Sequence, residues 1–85
     1  MPVVKLFANL RKLAGMKEVS ISGASVGAML NDLVKRYPAL DGVILENGKL
    51  RPHVIITLNG HNTSDMSAEL TEQDVIAIFP PIAGG

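Results

Sequence analysis

The chain has no cysteine and no tryptophan among its 85 residues. Without thiols it has no disulfide, no zinc–thiolate finger, no iron–sulfur centre and no thiol nucleophile. Aromatic residues are scarce, one Tyr and two Phe, so the core must be aliphatic. There is no excess of either charge: eight Lys and Arg balance eight Asp and Glu, and charged residues are only 19% of the chain. Phosphate backbones are bound by a basic surface, so no nucleic-acid partner is expected. No apolar run approaches the roughly 18 residues that mark a membrane span. No basic stretch followed by a long apolar run marks a leader peptide. A cytoplasmic location without membrane contact is expected, and the missing Cys fits that compartment.

What is present is aliphatic: 47% of the residues are hydrophobic. A chain this short buries only roughly 60–65% of its unfolded surface. One domain is expected over residues 1–85, with a flexible tail over 80–85. Some of the apolar content must then lie outside, where a partner can cover it.

Residues 2–8 carry Val3, Val4, Leu6 and Phe7, apolar on both faces apart from Lys5, and read as a strand inside a sheet. Asn9 is placed to cap a short helical turn through Leu13, with Leu10 and Leu13 three apart and Gly15 as its stop. Residues 17–22 alternate, Val19 and Ile21 against Glu18 and Ser20, as a half-buried strand does. Ser25 is a natural N-cap. Val26, Met29, Leu30, Leu33, Val34 and Tyr37 follow at helical spacing, and Pro38 ends the helix. Residues 40–50 read as irregular, with turn signals at Asp41-Gly42 and Asn47-Gly48. Residues 53–58 read as a strand apolar on both faces, followed by the Asn59-Gly60 turn. Residues 61–70 read as a polar loop and 71–74 as a turn. Residues 75–79 form the last buried-type strand, stopped by Pro80-Pro81. Two apolar strands near the ends, with a helix between them, suit a parallel central pair. That arrangement is α+β, a β-grasp: a small mixed sheet with one amphipathic helix on one face.

No motif carries catalysis. There is no G-x-S-x-G elbow and no G-x-x-x-x-G-K-[ST] loop. Gly23 and Gly27 do not form a dinucleotide fingerprint. His53, His61 and Asp65 match no ligand spacing, so no metal site is expected. Basic residues gather in the first half (Lys5, Arg11, Lys12, Lys17, Lys35, Arg36). Acidic ones gather in the second (Glu46, Asp65, Glu69, Glu72, Asp74). Such a division can orient a partner.

The informative segment is residues 75–85, Val-Ile-Ala-Ile-Phe-Pro-Pro-Ile-Ala-Gly-Gly, which holds no charged side chain. A backbone without side chains can thread a channel that excludes any Cβ. At its end stands an α-carboxylate, inert until activated. ATP can convert it to an acyl-adenylate, and a sulfur or amine nucleophile can then displace AMP. Carrying sulfur this way needs no cysteine.

The residues at 6–15 (Leu-Phe-Ala-Asn-Leu-Arg-Lys-Leu-Ala-Gly), the cap at Ser25-Val26, the Leu58-Asn59-Gly60 turn and the ending from Asp74 to Gly85 together resemble the MoaD/ThiS sulfur carriers. That family has the ubiquitin-like β-grasp fold. Within it the chain most resembles the small subunit of molybdopterin synthase and is similar to the archaeal small modifiers. One departure is Gln73 before Asp74, where many relatives have Gly. The resemblance implies a protein that is not itself an enzyme and binds no cofactor. A ubiquitin-activating-like adenylyltransferase, the user of ATP, would adenylate Gly85, and sulfur would make it a thiocarboxylate. The tail would then enter the large subunit of molybdopterin synthase and donate sulfur to a pterin precursor. In modifier relatives the same activated glycine joins a lysine of a target protein, and a passive interaction domain is a third reading. By the same resemblance Gly84 and Ala83 would thread the partner's channel. Phe7, Arg11, Phe79, Pro80, Pro81 and Ile82 would bind partners, with Phe7 or Phe79 in an apolar patch opposite the helix.

Overall fold

The computed structural model describes residues 1–80. The expected positions Pro81, Ile82, Ala83, Gly84 and Gly85 lie outside the described residues. A five-stranded sheet has the order β2-β1-β7-β5-β6, with strands β1 (Val3–Leu6), β2 (Glu18–Ser20), β5 (Ile55–Leu58), β6 (His61–Thr63) and β7 (Val75–Phe79). β1 and β7 pair in parallel, Val3 beside Val75 through Leu6 beside Ile78, and the other pairs are antiparallel. This is the β-grasp arrangement expected from the chain's apolar ends. A separate small hairpin joins β3 (Leu45–Glu46) to β4 (Lys49–Leu50).

Alternation decides the two faces of the sheet. Val4, Leu6, Val19, Ile56, Ile76 and Ile78 point one way and are buried. Helix α2 (Val26–Arg36) covers them with Val26, Met29, Leu30 and Leu33, and Leu40, Ile44 and Leu45 close the core from the side. No polar side chain is buried among the described residues. Val3, Lys5, Phe7, Ile55, Thr57, Val75, Ala77 and Phe79 therefore share the face away from α2.

The start of α2 leaves no donor of its first turn unpaired. The Val26 and Gly27 N–H groups donate to the carbonyls of Ala68 and Met66 at 2.9 and 2.8 Å. Ala28 N–H donates to the Ser25 hydroxyl at 3.2 Å. The segment after β6 is thus stitched to the helix N-terminus, which satisfies the orphan donors that every helix start exposes. At the far end Tyr37 leaves helical geometry, as Pro38 requires, and the chain continues as a short 3-10 turn, Pro38–Leu40.

Three local readings need correction. Asn9 is not the cap of the first helix, α1 (Asn9–Ala14): Ala8 holds that position with no side-chain hydrogen bond, and Asn9 is already helical. Within α1 Leu10 is buried and Leu13 is exposed. Residues 61–70 are not all loop, because His61–Thr63 forms an edge strand whose polar side chains suit an edge better than a core. The strand expected over 53–58 begins at Ile55, since Pro52 and His53 form a turn and His53 has φ 69°. Ile55 lies on the open face and is 47% exposed, so that face of β5 is apolar without being buried.

Candidate functional site

The site is built where β1 and β7 end. Leu6 and Ile78 are paired, and both point into the core. The next residue on each strand, Phe7 and Phe79, must point to the opposite face. Their rings stack there, 4.5 Å between centroids and 16° between planes. Ile55 is directly paired with Phe79 across β5. The result is an apolar row, Phe7, Phe79 and Ile55, at the end of the sheet from which the tail departs. Both rings are half-buried, and so is Pro80.

Arg11 completes the row from α1. Its guanidinium carbon lies 5.2 Å from the Phe7 ring centroid, and Nε donates to the Leu6 carbonyl at 2.8 Å. A planar cation over an aromatic face is attracted by the ring quadrupole, and the hydrogen bond fixes its orientation. Arg11 is in no ion pair with a carboxylate among the described residues. Lys5 stands one step back along the same face, paired with Glu18 on one side and Ala77 on the other. Arg11 is thus the cation at the apolar row, while Lys5 has the opposite charge of Glu18 beside it on the same face. That arrangement suits a partner offering an apolar surface with a carboxylate opposite Arg11.

The opposite end of β7 is held by a polar lock. The Asn59 side chain donates to Asp74 Oδ1 at 3.0 Å and accepts from Val75 N–H at 2.8 Å. Thr71 N–H donates to Asp74 Oδ2 at 2.7 Å. The Asn59 amide and then the Thr71 N–H favour the ionised carboxylate, so the Asp74 carboxyl is held below its ordinary range. Asn59 thus does more than turn the chain: it ties the β5–β6 hairpin to the start of the central strand. Gln73 is not among the positive-φ residues, so the turn before Asp74 does not need glycine.

Of the expected partner-binding residues, Phe7, Arg11 and Phe79 fall at one end of one face, and Pro80 follows Phe79 directly in the chain. Pro81, Ile82, Ala83, Gly84 and Gly85 are beyond the described residues. The sequence reading missed Ile55, whose place in the row depends on the β5–β7 register, and long-range register leaves no local signal. Among the described residues no cluster of three or more metal-ligating side chains occurs. No helix of the described residues is long and apolar enough to cross a membrane.

A β-grasp domain with an aromatic row where the central strand ends, followed in sequence by Gly-Gly, belongs to the class of small ubiquitin-like carriers and modifiers. The chain belongs to the ThiS family, which it matches over residues 4–85. It is 33% identical to small archaeal modifier protein 3 of Haloferax volcanii over 88 aligned residues, 96% of each chain. It is 36% identical to the molybdopterin synthase sulfur carrier subunit of Arabidopsis thaliana over 85 residues, 96% of this chain and 80% of the relative. Its fold matches the solution structure of small archaeal modifier protein 1 from Methanosarcina acetivorans with a TM-score of 0.89. That match has 39% identity and covers 99% of this chain and 95% of the other.

Proposed function

We propose that the protein is a sulfur carrier for molybdopterin synthesis, working through the carboxylate of Gly85. The observation that carries the reading is the Phe7–Phe79–Ile55 row with Arg11, set where the central strand releases the uncharged Pro-Pro-Ile-Ala-Gly-Gly segment. An adenylyltransferase docks on the row, and Gly84 and Ala83 lead the terminus into its active site. A carboxylate oxygen of Gly85 attacks the α-phosphorus of ATP and pyrophosphate leaves. A sulfur nucleophile supplied by the partner system then displaces AMP and leaves a thiocarboxylate. Pro80, Pro81 and Ile82 contact first this enzyme and then the large subunit of molybdopterin synthase. All catalysis belongs to the partners, which also bind the ATP.

A second reading is favoured by the relatives named as archaeal modifiers. In it the same adenylate is consumed by a lysine amine of a target protein, and the product is an isopeptide at Gly85. One experiment separates the two. The protein is incubated with its cognate activating enzyme, ATP and a sulfur donor, and its intact mass is measured. A gain equal to the difference between sulfur and oxygen is the expected result. Gly85-linked lysines in digests of cell extract, without that gain, favour conjugation. An unchanged mass with no conjugates overturns both. Removal of Gly84 and Gly85 is expected to leave folding intact and abolish adenylation.

A further inference from the structure

The chain holds two Asn-Gly pairs, and each is the two-residue loop of a hairpin. Asn47-Gly48 joins β3 to β4, with Glu46 paired to Lys49, and Asn59-Gly60 joins β5 to β6, with Leu58 paired to His61. Their backbones are near copies: φ is 54° and 78° in the first loop, 51° and 87° in the second. Positive φ at both positions is the type I′ turn that Asn-Gly favours. All four residues are exposed. Asn-Gly is also a labile pair, because glycine has no Cβ to shield its nitrogen. Once hydroxide removes its proton, that nitrogen can attack Cγ of the preceding asparagine. The N–Cγ bond forms, the Cγ–Nδ2 bond breaks, and ammonia leaves with a proton taken from water. Water then opens the cyclic imide at either carbonyl, giving aspartate or isoaspartate, whose backbone is one methylene longer.

The side chains separate what the backbones make equal. The Asn59 amide is held at both ends, its nitrogen donating to Asp74 Oδ1 at 3.0 Å and its oxygen accepting from Val75 N–H at 2.8 Å. Among the described residues the Asn47 side chain has no hydrogen-bond partner. The imide closes only when the glycine nitrogen meets the face of the amide carbon. The planar Asn59 amide cannot turn to present that face without leaving both partners. The Asp74 carboxylate beside it also opposes the anionic nitrogen and the oxyanion that forms on attack. We infer that Asn47 is a site of spontaneous deamidation, and that Asp74 and Val75 shield the second Asn-Gly pair by holding Asn59. The shield falls where the product would do most harm. A carboxylate at position 59 would stand against that of Asp74 and lack the donor on which the lock at the start of β7 depends. At position 47 the product lies in a hairpin whose arms have two residues each.

The test is a comparison of the two pairs within one molecule. The full chain is kept in mildly alkaline buffer, sampled over weeks and digested. The peptides holding Asn47 and Asn59 are weighed for the exchange of an amide NH2 for OH, and electron-transfer fragmentation distinguishes isoaspartate from aspartate. In the folded chain position 47 is expected to lose its amide at least about ten-fold faster than position 59, since a lock with one charge-assisted bond is open about one-tenth of the time or less. In urea, where no lock exists, the two rates should come together. Asp74→Ala, checked for folding by circular dichroism, is expected to speed the loss at 59 by about five-fold or more and leave 47 unchanged. Asp74→Asn keeps an acceptor without the charge and should fall between, and it decides the matter if the alanine variant does not fold. Equal rates in the folded parent overturn the shield. An unchanged rate at 59 in the folded Asp74 variant assigns the protection to the sheet and overturns it also. A folded chain that keeps its amide at 47 while the unfolded chain loses it overturns the site. No partner enzyme enters the experiment, so its outcome is independent of the functional reading.

Discussion

Gly23→Ala tests how closely the connector before α2 approaches the helix. A Cβ at position 23 would lie 2.7 Å from the Met29 backbone nitrogen, 2.8 Å from its Cα and 3.0 Å from its Cβ. Ordinary contact begins at 3.4 Å, so the connector or the helix must move by 3.4 − 2.7 = 0.7 Å. Neither moves freely. Met29, Leu30 and Leu33 are fully buried, and Val26 and Gly27 are bonded to the segment after β6. Overpacking of this kind costs about 1–3 kcal/mol, and the clash is with backbone, so the upper half of that range applies. Stiffening of the unfolded chain returns about 0.4–1 kcal/mol. The net loss is about 2 kcal/mol, or a midpoint lower by about 8–16 °C for a domain of this size. Urea unfolding followed by far-ultraviolet circular dichroism should show the transition shifted down by about 1.5–2 M with an unchanged slope. Gly27→Ala is the internal contrast. Its Cβ would come 3.1 Å from the Met66 carbonyl oxygen, while the helix gains about 1 kcal/mol from replacing glycine, so its transition should stay close to the parent's. If Gly23→Ala unfolds within about 0.5 M of the parent, the close-approach argument is wrong.

Other outcomes are equally specific. Asp74 titrates below its ordinary value of 3.8 in the folded protein, so its contribution to stability is complete above that value and is lost as the pH falls through the folded pKa. Asp74→Asn should lower stability at neutral pH and flatten the acid limb of a stability–pH curve; an acid limb unchanged from the parent's would show that the Asn59–Asp74 lock contributes nothing. Phe79→Ala removes one half-buried ring of the stacked pair, an interaction worth about 0.5–1.5 kcal/mol beyond area burial. The fold should survive, while adenylation by the activating enzyme loses at least ten-fold in kcat/KM, equivalent to about 1.4 kcal/mol. Unaltered kinetics would remove the row from the docking surface. Arg11→Lys keeps the charge but loses the Nε donor and the planar stack, and should fall between Phe79→Ala and the parent in the same assay.

The elements legible in the sequence were those whose side chains record their burial. The apolar runs at residues 3–7 and 75–79, and the helical spacing from Val26 to Leu33 behind its Ser25 cap, sufficed for the central parallel pair and the covering helix. The β6 strand escaped because His61, Asn62 and Thr63 sit at a sheet edge, where polar residues belong. The β3–β4 hairpin escaped because each arm has two residues, too few to show a period. Of the candidate site, Phe7 and Phe79 were readable as positions, and their stacking was not. It follows from the parallel register, which joins residues far apart in the chain.

The parallel pairing of β1 with β7 also has a consequence in time. Val3 and Val75 are neighbours in space, yet nearly the whole chain separates them in sequence. Contacts of such long span are slow to close, since the loop entropy is lost before they form. β1 can pair with β2 early in synthesis, but it cannot be joined to β5 and β6 until β7 has been made. The strand that completes the sheet is also the strand that leads to the diglycine. In the proposed reading, a polypeptide broken off before β7 would therefore lack both the finished sheet and the glycine to be charged, and would offer an activating enzyme neither a surface to grip nor a terminus to use.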